Sequence, residues 1–278
     1  MIYLLSINMK ISISEFQRLR RAGRMGAISR MAKYGNPGTL AGRVKGGKNA
    51  IKSQIASIGI SPFVARRTET PKYCNELAEF VGIILGDGHI GANQISISLN
   101  MKADKDYSSY VAMLIQNLFK FKPTINVMED RGVIIILLSR KNLVSYLKSI
   151  GMRVGNKVHQ QVDVPDWIKQ NWNYSKMCLR GLIDTDGCMY LDKHLISNRL
   201  YEHLGLNFTN RSIPLLDFVK SVWIRLGYNP TKNGRFSIYV RKGNDIISYM
   251  KSVGSSSSKI VNIFENYIVR HGRVPKRS

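Results

Sequence analysis

The chain has 278 residues, enough for one large domain or two small ones around a packed core, and its 44% hydrophobic and 22% charged content excludes wholesale disorder. Its longest uninterrupted aliphatic run, 133–138, falls far short of the ~20 residues that a spanning helix needs, which excludes a membrane-spanning reading. Forty-two Lys and Arg against eighteen Asp and Glu leave +24, a field that attracts polyanions, so nucleic acid is the first partner implied and a membrane is not. The apolar start lacks a basic region and a small-residue cleavage site, and Cys74, Cys178 and Cys188 form no CxxC pair. Both features point to a reducing, intracellular setting without a disulfide framework.

Residues 1–72 carry fourteen basic residues against Glu15 and Glu69, half of the surplus in a quarter of the length. Ser12-Ile13-Ser14-Glu15 has the form of a capping box and predicts a helix through Arg21; a second, short helix is expected after Thr39. This glycine-punctuated stretch reads as a basic DNA-contacting extension. From Tyr73 apolar periodicity takes over. It predicts a buried helix over 77–85, a strand over 94–99, a helix over 107–119, strands over 124–128 and 133–138, and a helix over 142–150. The pattern then recurs: helix 177–183, strand 204–208, helix 215–226, strand 235–240, helix 245–253. Ser145-Tyr146-Leu147-Lys148-Ser149-Ile150-Gly151 reappears as Ser248-Tyr249-Met250-Lys251-Ser252-Val253-Gly254. A duplicated α+β unit follows, with a first half at 73–166 and a second at 167–278.

Each repeat opens with a helix ending in an acid and a glycine: Phe80-Val81-Gly82-Ile83-Ile84-Leu85-Gly86-Asp87-Gly88, and Leu179-Arg180-Gly181-Leu182-Ile183-Asp184-Thr185-Asp186-Gly187. Small residues at i and i+4 let two helix backbones approach closely, with Gly82 and Gly181 at the interface. Gly88 and Gly187 suit a left-handed residue closing each helix. Parallel packing would bring Asp87 and Asp186 together at two helix C-termini, where their charges repel each other and the helix dipoles. A divalent cation resolves that conflict, and acids sharing Mg²⁺ under a basic surface suit phosphodiester hydrolysis.

LRGLIDTDG and FVGIILGDG resemble the LAGLIDADG motif, and over roughly 75–265 the chain resembles a single-chain, two-motif LAGLIDADG homing endonuclease. The resemblance implies two αββαββα halves forming a saddle with antiparallel sheets along the DNA major groove. It implies a monomer that cuts a long asymmetric double-stranded site and leaves short 3′ overhangs. It also implies metal ligation by Asp87 and Asp186 with the carbonyls of Gly86 and Thr185. Mg²⁺ or Mn²⁺ would support cleavage, and Ca²⁺ binding alone. Lys157 and Lys259, 70 and 73 residues beyond the two acids, match the family's basic residue in each half and are the remaining catalytic candidates. Asn100, Lys102, Asn210 and Arg211 correspond in position to residues reaching the central phosphates.

Period-two spacing puts Ser96, Ser98 and Asn100 on one face, as it does Asn207, Thr209 and Arg211, and Arg235, Ser237, Tyr239 and Arg241; these are the base-reading candidates. Trp167 and Trp172 read as packing residues between the halves, Asp163, Asp166 and Asp184 as capping or structural acids, and Cys188 as buried. The ends of the chain fit a free-standing intron-encoded protein better than an intein. The alternative reading is an RNA maturase, with intron RNA as a further partner, or a non-cleaving regulator on the same scaffold.

Overall fold

The computed structural model describes residues 12–36, 38–58, 68–196 and 199–271. Two helices, α1 (Ile13–Tyr34) and α2 (Leu40–Ile58), belong to one compact unit; everything from Thr68 on belongs to a second. In the first unit the Ser12 hydroxyl accepts from the Glu15 N–H at 3.2 Å, starting α1 where the capping box placed it. The helix continues beyond Arg21 to Gly35, whose φ of +82° ends it. Thr39 Oγ1 accepts from the Gly42 N–H at 3.0 Å and starts α2, which is not short but runs nineteen residues despite Gly42, Gly46 and Gly47. Both helices bury little: Leu19, Met25, Ile28, Leu40 and Val44 are all exposed.

In the second unit the first half runs α3 (Asn75–Gly86), β1 (Gly88–Ile90), β2 (Ile95–Asn100), α4 (Lys105–Phe119), β3 (Thr124–Met128), β4 (Val133–Leu138) and α5 (Lys141–Ser149). A short α6 (Asp166–Lys169) leads into α7 (Trp172–Asp186), β5 (Gly187–Ile196), β6 (Arg199–Thr209), α8 (Ile213–Arg225), β7 (Thr231–Lys232), β8 (Ser237–Val240), α9 (Gly243–Ser252) and α10 (Ser258–His271). Each half folds its strands into an antiparallel four-stranded sheet, ordered β1-β2-β4-β3 and β5-β6-β8-β7. The duplicated αββαββα α+β architecture is therefore present, with α10 added at the end.

Alternation decides which side of each sheet is core. Ile95, Ile97 and Leu99 of β2 and Ile134, Ile136 and Leu138 of β4 are buried, together with Tyr107, Val111, Leu114 and Ile115 of α4. Each such aliphatic side chain contributes roughly 1.5–3 kcal/mol when fully buried. Trp167 stacks on Tyr73 with ring centroids 4.3 Å apart and donates from Nε1 to the Ile150 carbonyl at 3.1 Å. The Arg225 guanidinium lies over the Trp172 ring at 4.3 Å. Both tryptophans are packing residues.

Two sequence expectations are corrected here. Gly88 and Gly187 are not left-handed: Gly187 is extended, with φ −90° and ψ 161°, Gly88 has no positive φ, and each is the first residue of a strand. Glycine is required there because a Cβ would strike the backbone of Ile84 or Ile183 one turn back. Cys188 is exposed, since β5 turns it to the side of the sheet away from the core.

Candidate active site

α3 and α7 lie against each other in parallel. A Cβ on Gly82 would collide with the Cys178 carbonyl, one on Gly181 with the Glu79 carbonyl, and one on Gly86 with the Thr185 hydroxyl. Gly82 and Gly181 face each other midway, and Gly86 meets Thr185 one turn further along both helices, so the C-termini converge. Backbones this close tolerate no side chain between them, which is what the small-residue spacing anticipated.

Asp87 closes α3 and Asp186 ends α7, both half-buried. Burial, and then repulsion from Asp186, push the Asp87 carboxyl up to about 6, against the pull of Lys157. Burial raises Asp186 too, opposed by Lys157 and by Asn210, whose Nδ2 donates to Asp186 Oδ2 at 2.7 Å. Two carboxylates displaced toward the protonated form at adjoining helix ends constitute a site whose negative charge the nearby Lys157 does not fully offset.

Lys157 brings its ammonium to the end of α3. Nζ donates to the carbonyls of Ile84 at 3.3 Å, Leu85 at 2.9 Å and Gly86. Burial lowers its pKa, while Asp186 and Asp87 hold it up. Lys259 reaches the same region differently: Nζ pairs with Asp104 Oδ1 at 3.1 Å, and its charge also pulls down the Asp87 carboxyl. Asp104, buried beside the start of α4, also accepts from the Asn100 N–H through Oδ2 at 3.2 Å. The two lysines thus occupy non-equivalent seats. Asp104 was not singled out from the sequence, because its duplicate position, counted from Asn210, is Pro214 and repeat matching gave no signal.

A second carboxylate holds the loop that leads into α10, the helix carrying Lys259. Asp184, where the first half has Leu85, accepts from the Ser255 hydroxyl and, at 2.8 Å, from the Ser256 N–H. Burial pushes its carboxyl up to about 7 against these hydrogen bonds. The Ser256 hydroxyl donates to Glu79 at 3.2 Å; Glu79 also accepts from Tyr110 at 2.8 Å and pairs with Arg180. Asp184 is structural, through partners that only the fold brings to it.

Of the metal-ligand candidates, Asp87 and Asp186 converge, and Gly86 and Thr185 touch each other at the helix crossing. The Gly86 carbonyl already accepts from Lys157, and the Thr185 hydroxyl donates to Gly181 at 2.8 Å and Leu182 at 3.1 Å. Among the described residues no group of three His, Cys, Asp or Glu side chains could hold an ion. Two carboxylates with carbonyls nearby suit a hard cation that keeps its waters and meets a substrate phosphate; they do not suit zinc.

The base-reading candidates lie on the side of each sheet away from the core. Ser98, Asn100, Thr209 and Arg235 are exposed, and Ser96, Asn207, Ser237 and Tyr239 half-buried. Asn207 accepts from Ser237 at 2.7 Å and from Thr209 at 3.3 Å. The Arg241 guanidinium lies 4.5 Å above the Tyr239 ring, and Arg235 lies 5.1 Å from the ring of Phe236. Asn100 and Asn210 instead shape their own turns, each accepting backbone N–H groups through Oδ1: Lys102 and Ala103 for Asn100, Ser212 for Asn210. Lys102 and Arg211 are exposed beside them.

Residues 173–268 match the model of the LAGLIDADG-like domain. The match covers the second half alone. The chain's two-half architecture is similar to the LAGLIDADG homing endonuclease I-LtrWI bound to target DNA, at 12% identity, 70% of this chain, 90% of that one and a TM-score of 0.50. It is also similar to I-DmoI in complex with DNA and Ca, at 16% identity, 69% and 97% coverage and a TM-score of 0.46. No curated protein matches it. The first-half segment FVGIILGDG lies outside the matched residues, and the fold still places Asp87 near Asp186.

Proposed function

We propose that the chain is a site-specific double-stranded DNA endonuclease of the homing type, intron-encoded, hydrolysing one phosphodiester per strand. The observation that carries this reading is the pair of half-buried acids, Asp87 and Asp186, at the meeting of two helix ends in a protein of net charge +24. Folding alone selects against that pair, and cation-assisted hydrolysis gives it a use.

Asp87 and Asp186 would hold divalent cations, Mg²⁺ in the cell, with the carbonyls of Gly86 and Thr185 at hand. Bound there, a cation supplies a hydroxide-like water and neutralises charge on the phosphate. The protein's own groups do the rest. Asn210 Nδ2 fixes the Asp186 carboxylate, and Lys157 holds a protonated Nζ beside both acids, where it offsets charge gathering on the phosphodiester. Lys259, held by Asp104, supplies a second positive charge from the other half. The open sheet faces grip the duplex; the similar I-LtrWI is bound to target DNA. Because their residues differ, the target is long and asymmetric, and the protein acts as a monomer. Incubating the protein with a randomised duplex library and Mg²⁺, then sequencing the cut ends, tests the proposal. One recurrent site with short 3′ overhangs is the expected result; uncut DNA, or cutting without a recurrent site, overturns it.

A further inference from the structure

The two open sheet faces differ in chemistry. In the first half, cross-strand partners on the side away from the core form three rows: His89–Ser96–Leu137–Thr124, Ser98–Ile135–Asn126 and Asn100–Val133–Met128. Val133, Ile135 and Leu137 run down the middle, half-buried, while Ile134, Ile136 and Leu138 beneath them are buried. None of these rows contains a Lys, Arg, Asp or Glu. In the second half the matching rows are Cys188–Asn207–Tyr239–Thr231 and Thr209–Ser237, a hydrogen-bonding surface with Arg241 over Tyr239.

The aliphatic column adjoins the catalytic acid. β1 begins one residue after Asp87, and the Asp87 carbonyl accepts from the Ser98 N–H at 3.2 Å, tying the middle row, Ser98–Ile135, to the acid. A duplex whose phosphodiester lies at Asp87 in a protein of this charge therefore passes over Ile135. The apolar feature that a major groove offers is the C5 methyl of thymine. Resting on the endonuclease reading above, we infer that the first half recognises its half-site through thymine methyl groups, whereas the second half uses hydrogen bonds to base edges. The occupant of the aliphatic column is a thymine-rich major-groove edge.

The test is selection of bound duplexes by the full chain in Ca²⁺ from three randomised pools. One is copied with dTTP, one with dUTP, and one with dUTP together with 5-methyl-dCTP. In the first pool one half-site should be thymine-rich and the other mixed, and Ile135→Asn should relax only the thymine-rich half. In the uracil pool that preference should vanish, with affinity falling about fourfold for each contacted methyl lost. In the third pool the preference should reappear at the same positions as cytosine. Persistence of the preference in the uracil pool, or its absence in the first, overturns the inference and leaves the endonuclease reading intact. No enriched sequence in any pool overturns both.

Discussion

Asp87 is a residue whose charge folding resists. Its folded-state pKa of about 6 lies above the ordinary 3.8, so the folded protein binds this proton more tightly than the unfolded chain does. The associated stability is fully present below pH 3.8 and is lost as the pH rises through about 6. In EDTA at pH 8, Asp87→Asn should therefore be more stable than the wild type by about 2–3 kcal/mol, and the gap should close toward pH 4. Urea unfolding at the two pH values measures this; a pH-independent difference would mean that the burial does not act on the charge. Lys259 belongs to the same scale. Asp104→Asn removes its ion-pair partner and leaves Lys157 on its carbonyls, so the rates of nicking the two strands should change relative to each other by several-fold. Strand-specific end-labelling reads the ratio, and an unchanged ratio would make the Asp104 seat irrelevant to chemistry.

At the scale of elements, the crossing of α3 and α7 is the joint between the halves. Gly82→Ala places a methyl group against the Cys178 carbonyl, where two backbones rather than a flexible side chain must yield. It should cost about 2–3 kcal/mol and lower the Tm by several degrees, with cleavage falling further than stability as the acids separate. Thermal unfolding and cleavage rates measured together would show this; a neutral Gly82→Ala would contradict the close approach. The motif helices were legible because spacing and glycine position report backbone proximity directly, and β3 and β4 matched their predicted spans residue for residue. β1 and β7, of three and two residues, are too short for period two to register, and β5 and α10 were not read at all. Val133–Leu138 shows why the open face was only half-read: six aliphatic residues in a row have no alternation, so only the sheet register separates those facing outward from those in the core. Asp104 and the serine loop on Asp184 were invisible because their partners lie far along the chain.

At the scale of the whole molecule, charge organises the behaviour. The N-terminal stretch, read from the sequence as a basic extension, contains α1 and α2 with their exposed arginines and lysines. Deleting residues 1–60 should weaken duplex binding and flatten its salt dependence, since each phosphate contact contributes roughly −0.9 to the slope of log K against log salt. Equal slopes for the full and shortened chains would make the extension a bystander. The most direct measurement of the whole account compares cleavage of a selected target in Mg²⁺, and its binding in Ca²⁺, by the wild type, Asp87→Asn and Asp186→Asn. Both variants should bind within a few-fold of the wild type and fail to make the double-strand break; a variant of either acid that cuts both strands at the wild-type rate would contradict it.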